Sequence, residues 1–201
     1  MAKKSEAIKD LSTEQKIKNA ARKVFTEKGY AATRTRDIAE AAGINLALLN
    51  YYFRSKQKLF EEVLMEKVTA LFGHILPIAL DDKTNLEQKL DAIVAQYIEL
   101  LSEMPGLPIF VLSEITNGHF VINFPVAQIL KESALIKQIR EKNPAVDPFH
   151  FLLNILGMTI FPFMVRPVFE QSGVMDKKKF EKLVRERKKL IPHWNLLLME
   201  E

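Results

Sequence analysis

The strongest constraint on the fold lies between Thr35 and Lys56, where one glycine separates two short segments with helical apolar spacing. The first segment carries its apolar stripe at Ile38, Ala39 and Ala42. Gly43 then suits the left-handed conformation that ends a helix, because glycine has no side chain to clash there. Asn45 is a good N-cap for a second helix from Leu46 to Tyr52. Two helices joined by a short turn that contains glycine form a helix-turn-helix, which this stretch therefore predicts.

Composition and charge limit the classes of protein to which this chain can belong. With 201 residues, 48% of them hydrophobic, the chain is long and apolar enough to bury a core. The absence of cysteine excludes a disulfide scaffold, a thiolate zinc site and a cysteine nucleophile. Residues 1–60 contain 13 Lys/Arg and 6 Asp/Glu, a net charge of +7, which leaves −3 for the remainder of the total of +4. This asymmetry is typical of a protein that binds a polyanion through its N-terminal part, although a solvated lysine-rich surface would show the same charge.

Apolar residues recur at helical spacing along the rest of the chain and period-two alternation does not persist, so we expect an all-α fold of about nine helices. Thr13 is expected to cap the first helix, which ends at Gly29. Its apolar stripe consists of Ile17, Ala20, Ala21, Val24 and Phe25. We expect this helix to complete a three-helix N-terminal domain, because two short helices alone bury too little apolar surface.

A long helix is expected to begin near Lys56, capped by Ser55, and to end or kink at Pro77. No flexible linker precedes it, so it is expected to join two domains rigidly. We assign residues 11–71 to an N-terminal head, which contains the helix-turn-helix at about 34–53, and residues 72–201 to the body. Later helix starts are predicted at a capping box of Thr84 and Glu87, at Phe124-Pro125 for a helix to about Lys142, at Asp147-Pro148 and at Asp176.

The sequence favours a soluble, cytoplasmic protein. The N-terminal residues lack the apolar core of a signal peptide. The most apolar run, residues 149–165, is interrupted by polar residues and by Pro162, and so favours a buried helix over a membrane span.

Several short motifs together resemble the N-terminal domain of the tetracycline-repressor (TetR) family. They are Ala20-Ala21, Phe25, Gly29-Tyr30, Thr33, Ile38-Ala39, Ala42-Gly43-Ile44, Leu49-Asn50-Tyr51-Tyr52-Phe53 and Lys56. The resemblance covers roughly residues 11–71, and beyond them only the number and lengths of the helices are similar. It implies a ligand-responsive transcriptional regulator, a repressor, that binds a palindromic operator in double-stranded DNA as a homodimer. A small effector, hydrophobic by the apolar balance of the chain, would release it.

The same resemblance implies roles for the residues of the helix-turn-helix. Leu49 and Phe53 hold the second helix on the head, and its N-terminal end enters the major groove. The expected DNA-binding residues are Thr35, Arg36, Asn45, Leu46, Ala47, Asn50, Tyr51, Tyr52 and Lys56. Thr35, Tyr51, Tyr52 and Lys56 are expected to contact phosphates. Arg36 is expected to reach either a phosphate or a guanine edge, and together with residues 45–47 it holds the sequence information.

Two positions, Leu48 and Asn50, depart from the usual pattern of the family. Leu48 is either part of the core or a contact to a thymine methyl group, and Asn50 either reads adenine or is solvated. The operator sequence therefore does not transfer from relatives.

For the body, the resemblance implies an effector pocket between the middle helices and a homodimer through the last two helices, at about 147–172 and 176–199. The last two helices are too apolar for a monomer to bury both surfaces. Candidate pocket residues mix aromatic side chains with a few polar groups. They are Phe72, Ile75, Tyr97, Phe110, Glu114, Asn117, His119 and Phe120.

Two other classes of function compete with this interpretation. An enzyme is disfavoured, because the sequence has no glycine-rich phosphate loop, no catalytic motif and four scattered histidines without metal-ligand spacing. We therefore expect no cofactor and no metal. The alternative is a helical protein-interaction module whose DNA-binding head has lost its function, and the intact Thr35, Tyr51, Tyr52 and Lys56 argue against it.

Overall fold

The computed structural model describes residues 2–116 and 126–200, and within them every regular element is an α-helix. The helices are α1 (Ala2–Ala32), α2 (Thr35–Ala42), α3 (Leu46–Tyr52), α4 (Lys56–Leu80), α5 (Leu86–Glu103), α6 (Leu107–Thr116), α7 (Val126–Lys131), α8 (Ala134–Lys142), α9 (Pro148–Gln171) and α10 (Lys177–Leu197). The chain divides into two compact units, Met1–Thr69 and Ala70–Glu201. The predicted all-α fold with an N-terminal helix-turn-helix is confirmed.

The described residues contain ten helices rather than nine, because one predicted helix is divided. The segment expected to run unbroken to Lys142 forms α7 and α8 instead. Between them, the hydroxyl of Ser133 donates to the carbonyl of Leu130 (2.7 Å) and accepts the N–H of Ile136 (3.3 Å). Ser133 therefore caps α8 at the point where α7 has ended. The expected start of this segment at Phe124 lies outside the described residues.

The first helix is longer than predicted at both ends. It begins at Ala2, so Thr13 lies inside it and the predicted cap there is wrong. Residues 2–12 contain two alanines and three lysines, which favour helix, and neither glycine nor proline, which explains why the helix extends through them. Gly29 does interrupt the helix as expected, with φ 74° and ψ 166°, and a short helical continuation to Ala32 follows.

In the first unit, α1, α2 and the beginning of α4 share one core. The five residues of the predicted stripe on α1 are all buried, and so are Leu59, Phe60, Val63 and Leu64 of α4. The rings of Phe25 and Phe60 meet edge to face with centroids 4.7 Å apart, and the ring of Tyr30 lies 4.8 Å from that of Phe60. Ser55 caps α4 as predicted, because its hydroxyl accepts the N–H of Lys58 at 3.1 Å.

An ion-pair network joins α1 to α4 within this unit. The ammonium of Lys18 lies 2.9 Å from Glu14, 2.8 Å from Glu62 and 3.4 Å from Glu66, and Arg22 lies 2.8 Å from Glu66. Burial opposes the charge of Lys18, but the hydrogen bonds to Glu14 and Glu62 outweigh burial and raise the lysine pKa above its ordinary 10.5. These carboxylates thus neutralise the charges of Lys18 and Arg22 within the protein.

The second unit is built around α5, which packs against both α9 and α10. The capping box predicted at Thr84 and Glu87 is wrong by one residue, because Asn85 is the N-cap and exchanges hydrogen bonds with Gln88. Thr84 has a different role. Its carbonyl and hydroxyl oxygens each accept a hydrogen bond of 2.6 Å from the fully buried ammonium of Lys89. The starts of α9 and α10 at Asp147 and Asp176 are confirmed.

Prolines lie inside α4, α9 and α10 without ending these helices, and Pro77 is followed by helix to Leu80. Pro162 has no N–H to donate to the carbonyl of Met158, four residues earlier. Arg187 of α10 supplies the missing donors, with Nε at 3.3 Å and Nη2 at 2.8 Å from that oxygen. The same guanidinium lies 5.5 Å from the centre of the Trp194 ring. One arginine thus repairs the hydrogen-bond defect of α9 and links it to α10.

Two helices, α4 and α9, are long and apolar enough to cross a membrane by length and composition alone, with mean hydropathies of 1.5 and 1.6. Helix α9 is longer than the apolar run at residues 149–165, because it continues through two prolines for 24 residues. Core helices of soluble proteins satisfy the same two criteria, so length and hydropathy are weak evidence for a membrane location.

Candidate nucleic-acid interface

The turn between α2 and α3 has the geometry that its sequence predicts. Gly43 adopts φ 62° and ψ 39°, and its N–H donates to the carbonyl of Glu40 at 2.9 Å. The N–H of Ile44 reaches back to the carbonyl of Ala39 at 3.0 Å, which completes the C-terminal cap. Asn45 then caps α3, since its Oδ1 accepts the N–H of Leu48 at 2.8 Å. This oxygen is therefore engaged within the protein, and only the amide NH₂ of Asn45 is left to face a ligand.

Helix α3 has one buried side and one exposed side. Leu49 is buried on α3 itself, and Phe53 is buried just after its end, as predicted. The exposed positions around the helix are Asn45, Ala47, Leu48, Asn50 and Tyr51, while Leu46 and Tyr52 are half-buried. Tyr51 has 74% of its surface exposed, and its ring meets that of Tyr52 edge to face at 5.3 Å. Six of the nine predicted DNA-binding residues thus lie on or immediately before one short helix.

Leu48 is 37% exposed, so it is not a core residue of the protomer. Two interpretations of Leu48 were open, packing in the core and contact with a thymine methyl group. This exposure disfavours packing in the core. Asn50 is exposed as well, and both departures from the family pattern therefore lie on the open side of α3.

The start of α2 is held by a carboxylate. Asp37 accepts the backbone N–H of Arg34 at 2.9 Å and lies 3.3 Å from the ammonium of Lys28. The hydrogen bond from Arg34, followed by the interaction with Lys28, lowers the pKa of Asp37 below its ordinary value. Thr35 is half-buried and Arg36 is exposed at this end of α2.

Lys56 does not extend freely into solvent. Its ammonium donates to the carbonyls of Tyr30 and Thr33, each at 3.0 Å, and lies 4.3 Å from the centre of the Tyr30 ring. Thr33 is itself buried, and its hydroxyl donates to the carbonyl of Gly29 at 2.7 Å. The ammonium of Lys56, which the sequence predicts to contact a phosphate, is therefore already bonded to the segment that connects α1 to α2.

The cations of the first unit fall into two groups. Lys18, Arg22 and Lys28 face carboxylates, and Lys56 faces carbonyls. Several exposed cations form no ion pair with a carboxylate among the described residues, namely Lys16, Lys23, Arg36, Arg54 and Lys58. Lys16 of α1 is notable because its ammonium lies 3.9 Å from the position that a Cβ on Gly43 would occupy. Lys16 is absent from the predicted DNA-binding residues, since no sequence motif links it to a turn so distant in the chain.

The candidate pocket residues of the body are only partly described. Ile75 is buried, and Phe72 and Tyr97 are half-buried. Burial of the Tyr97 hydroxyl raises the pKa of this tyrosine to about 12. The remaining candidates, Phe110, Glu114, Asn117, His119 and Phe120, have side chains outside the described residues. No group of three or more His, Cys, Asp or Glu that could hold a metal occurs in the part of the chain that the structure describes.

Helix α9 carries two opposite apolar faces. Phe151, Ile155, Thr159 and Phe163 recur every four residues on the buried face. A second set of residues is displaced from these by two positions, or about 200° around the helix, and is exposed. It consists of Phe149, Leu153, Gly157 and Phe161. Phe149 and Phe161 keep 68% and 61% of their surface in solvent. Helix α10 contributes the further exposed apolar residues Leu190, Trp194 and Leu197, and Leu198 follows directly after its end.

The helix-turn-helix region matches a family model. Residues 17–63 match the model described as bacterial regulatory proteins, tetR family. This segment contains α2, α3 and the residues of α1 and α4 that bury them.

Relatives extend the similarity beyond this segment. The chain is 24% identical over 162 residues to YttP of Bacillus subtilis (strain 168), named as an HTH-type transcriptional regulator, and the match covers 77% of this chain and 78% of that protein. It is 37% identical over 78 residues to the HTH-type transcriptional repressor KstR2 of Mycolicibacterium smegmatis, covering 39% of this chain and 38% of KstR2. Among solved structures, a TetR-family transcriptional regulator from Mesorhizobium loti MAFF303099 matches with a TM-score of 0.57 at 16% identity. That match covers 94% of this chain and 97% of the other.

Proposed function

The chain belongs to the TetR family of bacterial transcriptional regulators, and from that membership we propose that it represses transcription by binding a palindromic operator as a homodimer. Members of this family are regulators and not enzymes, and operator DNA and small-molecule effectors are their partners. We propose the cytoplasm as the location of this soluble protein, since its operator would be found there.

The observation that carries the proposal is the exposed side of α3. A helix that enters the major groove needs one side held by the protein and the other open to base edges. Leu49 and Phe53 are buried, whereas Ala47, Leu48 and Tyr51 are exposed. Ala47 and Leu48 offer apolar contacts to thymine methyl groups, and Asn50 offers the bidentate pairing that an amide makes with adenine.

Phosphate contacts are assigned to groups that the protein leaves available. Arg36 and Lys16 have no carboxylate partner among the described residues, and Tyr51 presents its hydroxyl on the exposed side. Thr35 at the start of α2 completes this set, and the half-buried Tyr52, whose ring meets that of Tyr51, is a further proposed phosphate contact. Such contacts orient the protein on the duplex, while the groove-facing residues of α3 select the sequence.

Selection of bound sequences from a random pool of double-stranded DNA tests the proposal. We expect enrichment of a palindrome with half-sites about one helical turn apart, since a two-fold dimer presents two recognition helices. Leu48→Ala and Asn50→Ala should each weaken binding to the enriched site by about 1–3 kcal/mol and relax the preference at one base pair per half-site. A pool without enrichment at low salt would support the alternative of an interaction module that has lost DNA binding.

The salt dependence of binding tests the assignment of phosphate contacts. Each phosphate neutralised in B-DNA contributes about 0.9 to the slope of log affinity against log salt, so Arg36→Met should reduce the slope by about that amount per protomer. Arg22→Met serves as the control, because Arg22 is paired with Glu66 at 2.8 Å, and should leave the slope unchanged. Equal slopes for the wild type and Arg36→Met would contradict the assignment.

The exposed face of α9 supports the proposed homodimer. Phe149, Leu153 and Phe161 lie on it with Gly157, at which an added Cβ would meet no atom within 4 Å. A glycine in the middle of such a face lets a second helix approach closely. We propose that α9 and α10 of two protomers cover each other here, in an isologous contact about a two-fold axis.

We further propose that a small hydrophobic effector binds in the body and releases the operator. Ile75 and Tyr97, both in the second unit, are the described residues that support an apolar site with one hydroxyl. Such a ligand acts only if it binds the DNA-free conformation more tightly than the DNA-bound one. A fall in operator affinity on adding the ligand, with unchanged affinity in Tyr97→Leu, is the expected result.

A further inference from the structure

The hydrogen bonds of Lys56 point to a function that differs from the expected phosphate contact. Two of its three N–H donors are directed at the carbonyls of Tyr30 and Thr33, at 3.0 Å each. The ammonium also lies 4.3 Å from the centre of the Tyr30 ring, which attracts a cation to its face. Lys56 is half-buried in this arrangement.

These contacts all fall on the short segment between Gly29 and Arg34. Gly29 kinks α1 with a positive φ of 74°, and the hydroxyl of the buried Thr33 donates to the Gly29 carbonyl at 2.7 Å. The segment ends at Arg34, whose N–H is bonded to Asp37 at 2.9 Å in the first turn of α2. The segment between Gly29 and Arg34 therefore sets the position of the first turn of α2. The contacts that fix this segment, including those of Lys56, fix the turn as well.

We propose that Lys56 is a positioning residue, which acts on DNA binding by holding the start of α2 and not by contacting a phosphate. Its side chain clamps the first turn of α4 to the segment that carries Thr35 and Arg36 into α2. Arg36, which is exposed and has no carboxylate partner among the described residues, is the group that Lys56 positions. This inference rests on the proposed binding of DNA.

Salt titration separates a positioning role from a phosphate contact. Loss of a phosphate contact reduces the slope of log affinity against log salt by about 0.9 per contact. Loss of a positioning contact lowers affinity at every salt concentration but leaves the number of neutralised phosphates, and hence the slope, unchanged. A purely structural role predicts a third outcome, in which folded protein binds DNA with unchanged affinity and only thermal stability falls.

The experiment measures operator affinity at four salt concentrations for the wild type, Lys56→Met, Thr33→Val and Lys58→Met. All proteins are held at a temperature where circular dichroism shows them fully folded. Thr33→Val removes the bond to Gly29 from the same segment without changing charge. Lys58→Met removes an exposed positive charge from the same turn of α4, where no carboxylate pairs with it among the described residues.

We expect Lys56→Met to lose about tenfold in affinity, the equivalent of one hydrogen bond to a charged group, with the wild-type slope. Thr33→Val should lose affinity in the same way. Lys58→Met keeps the contacts of Lys56, so any loss of affinity in this variant should be accompanied by a reduced slope. A reduced slope for Lys56→Met, or undiminished affinity of the folded variant, would overturn the proposal. Failure of the wild type to bind any sequence in the pool would instead refute the proposed function itself.

Discussion

The contact between Arg187 and the carbonyl of Met158 allows a quantitative test of how α9 tolerates a proline in its interior. Pro162 cannot donate to this carbonyl, and Arg187 donates to it through Nε and Nη2 at 3.3 and 2.8 Å. We therefore expect Arg187→Met, which keeps much of the apolar stem, to leave the oxygen without a protein donor.

The expected destabilisation follows from two losses. An acceptor left unsatisfied costs about 1–3 kcal/mol, and the lower part of this range applies because the contact is only partly buried. The guanidinium also lies 5.5 Å from the centre of the Trp194 ring, a contact worth about 0.5–1 kcal/mol. Together these terms predict that Arg187→Met lowers the free energy of unfolding by about 2 kcal/mol.

A second substitution makes the reasoning specific. Pro162→Ala restores an N–H at the position that can bond the Met158 carbonyl within the helix. In this background Arg187→Met should cost only about 1 kcal/mol or less, mainly the contact with Trp194. The difference between the two costs is the coupling energy between Pro162 and Arg187.

Urea unfolding of the four proteins, followed by far-ultraviolet circular dichroism at one fixed protein concentration, measures these energies. The fixed concentration is needed because a dimer becomes more stable as its concentration rises. If Arg187→Met costs the same with Pro162 as with alanine at this position, the arginine does not compensate for the missing N–H, and the reasoning is refuted.

Three further predictions follow from other contacts. Phe161→Asp should convert the proposed dimer to monomer in sedimentation at micromolar concentration, whereas Val174→Asp, which changes an equally exposed apolar residue outside the helices, should leave it dimeric. Asn45→Ala should lower the free energy of unfolding by about 1 kcal/mol through loss of the α3 cap, and Asn45→Asp, which retains the acceptor, should restore most of it. The raised pKa of Lys18 means that its ion pairs stabilise the fold fully below the ordinary pKa of 10.5 and progressively less as pH rises above it. A Lys18→Met variant should therefore show a smaller loss of stability between neutral and strongly alkaline pH in thermal unfolding.

Local sequence signals predicted the helix-turn-helix closely, because the interactions that form it are local. The left-handed Gly43, the Asn45 cap and the Ser55 cap each depend on residues no more than a few positions apart. The apolar stripe of α1 and the burial of Leu49 and Phe53 follow from helical periodicity in the same way. The expected caps at Thr13 and Thr84 were wrong, because a neighbouring residue or a continuing helix offered the backbone a better alternative.

The sequence by itself determined the all-α fold, the place of the helix-turn-helix and the side of α3 that is left open. These features depend on spacing, capping and glycine conformation, which are properties of neighbouring residues. Only the tertiary structure decided how each charged side chain is used. Lys18 meets Glu62 and Glu66, Lys56 meets the carbonyls of Tyr30 and Thr33, and Arg187 meets the carbonyl of Met158, all across separate helices or segments. A charge count treats these cations alike, whereas their three-dimensional partners decide which of them is left to bind DNA.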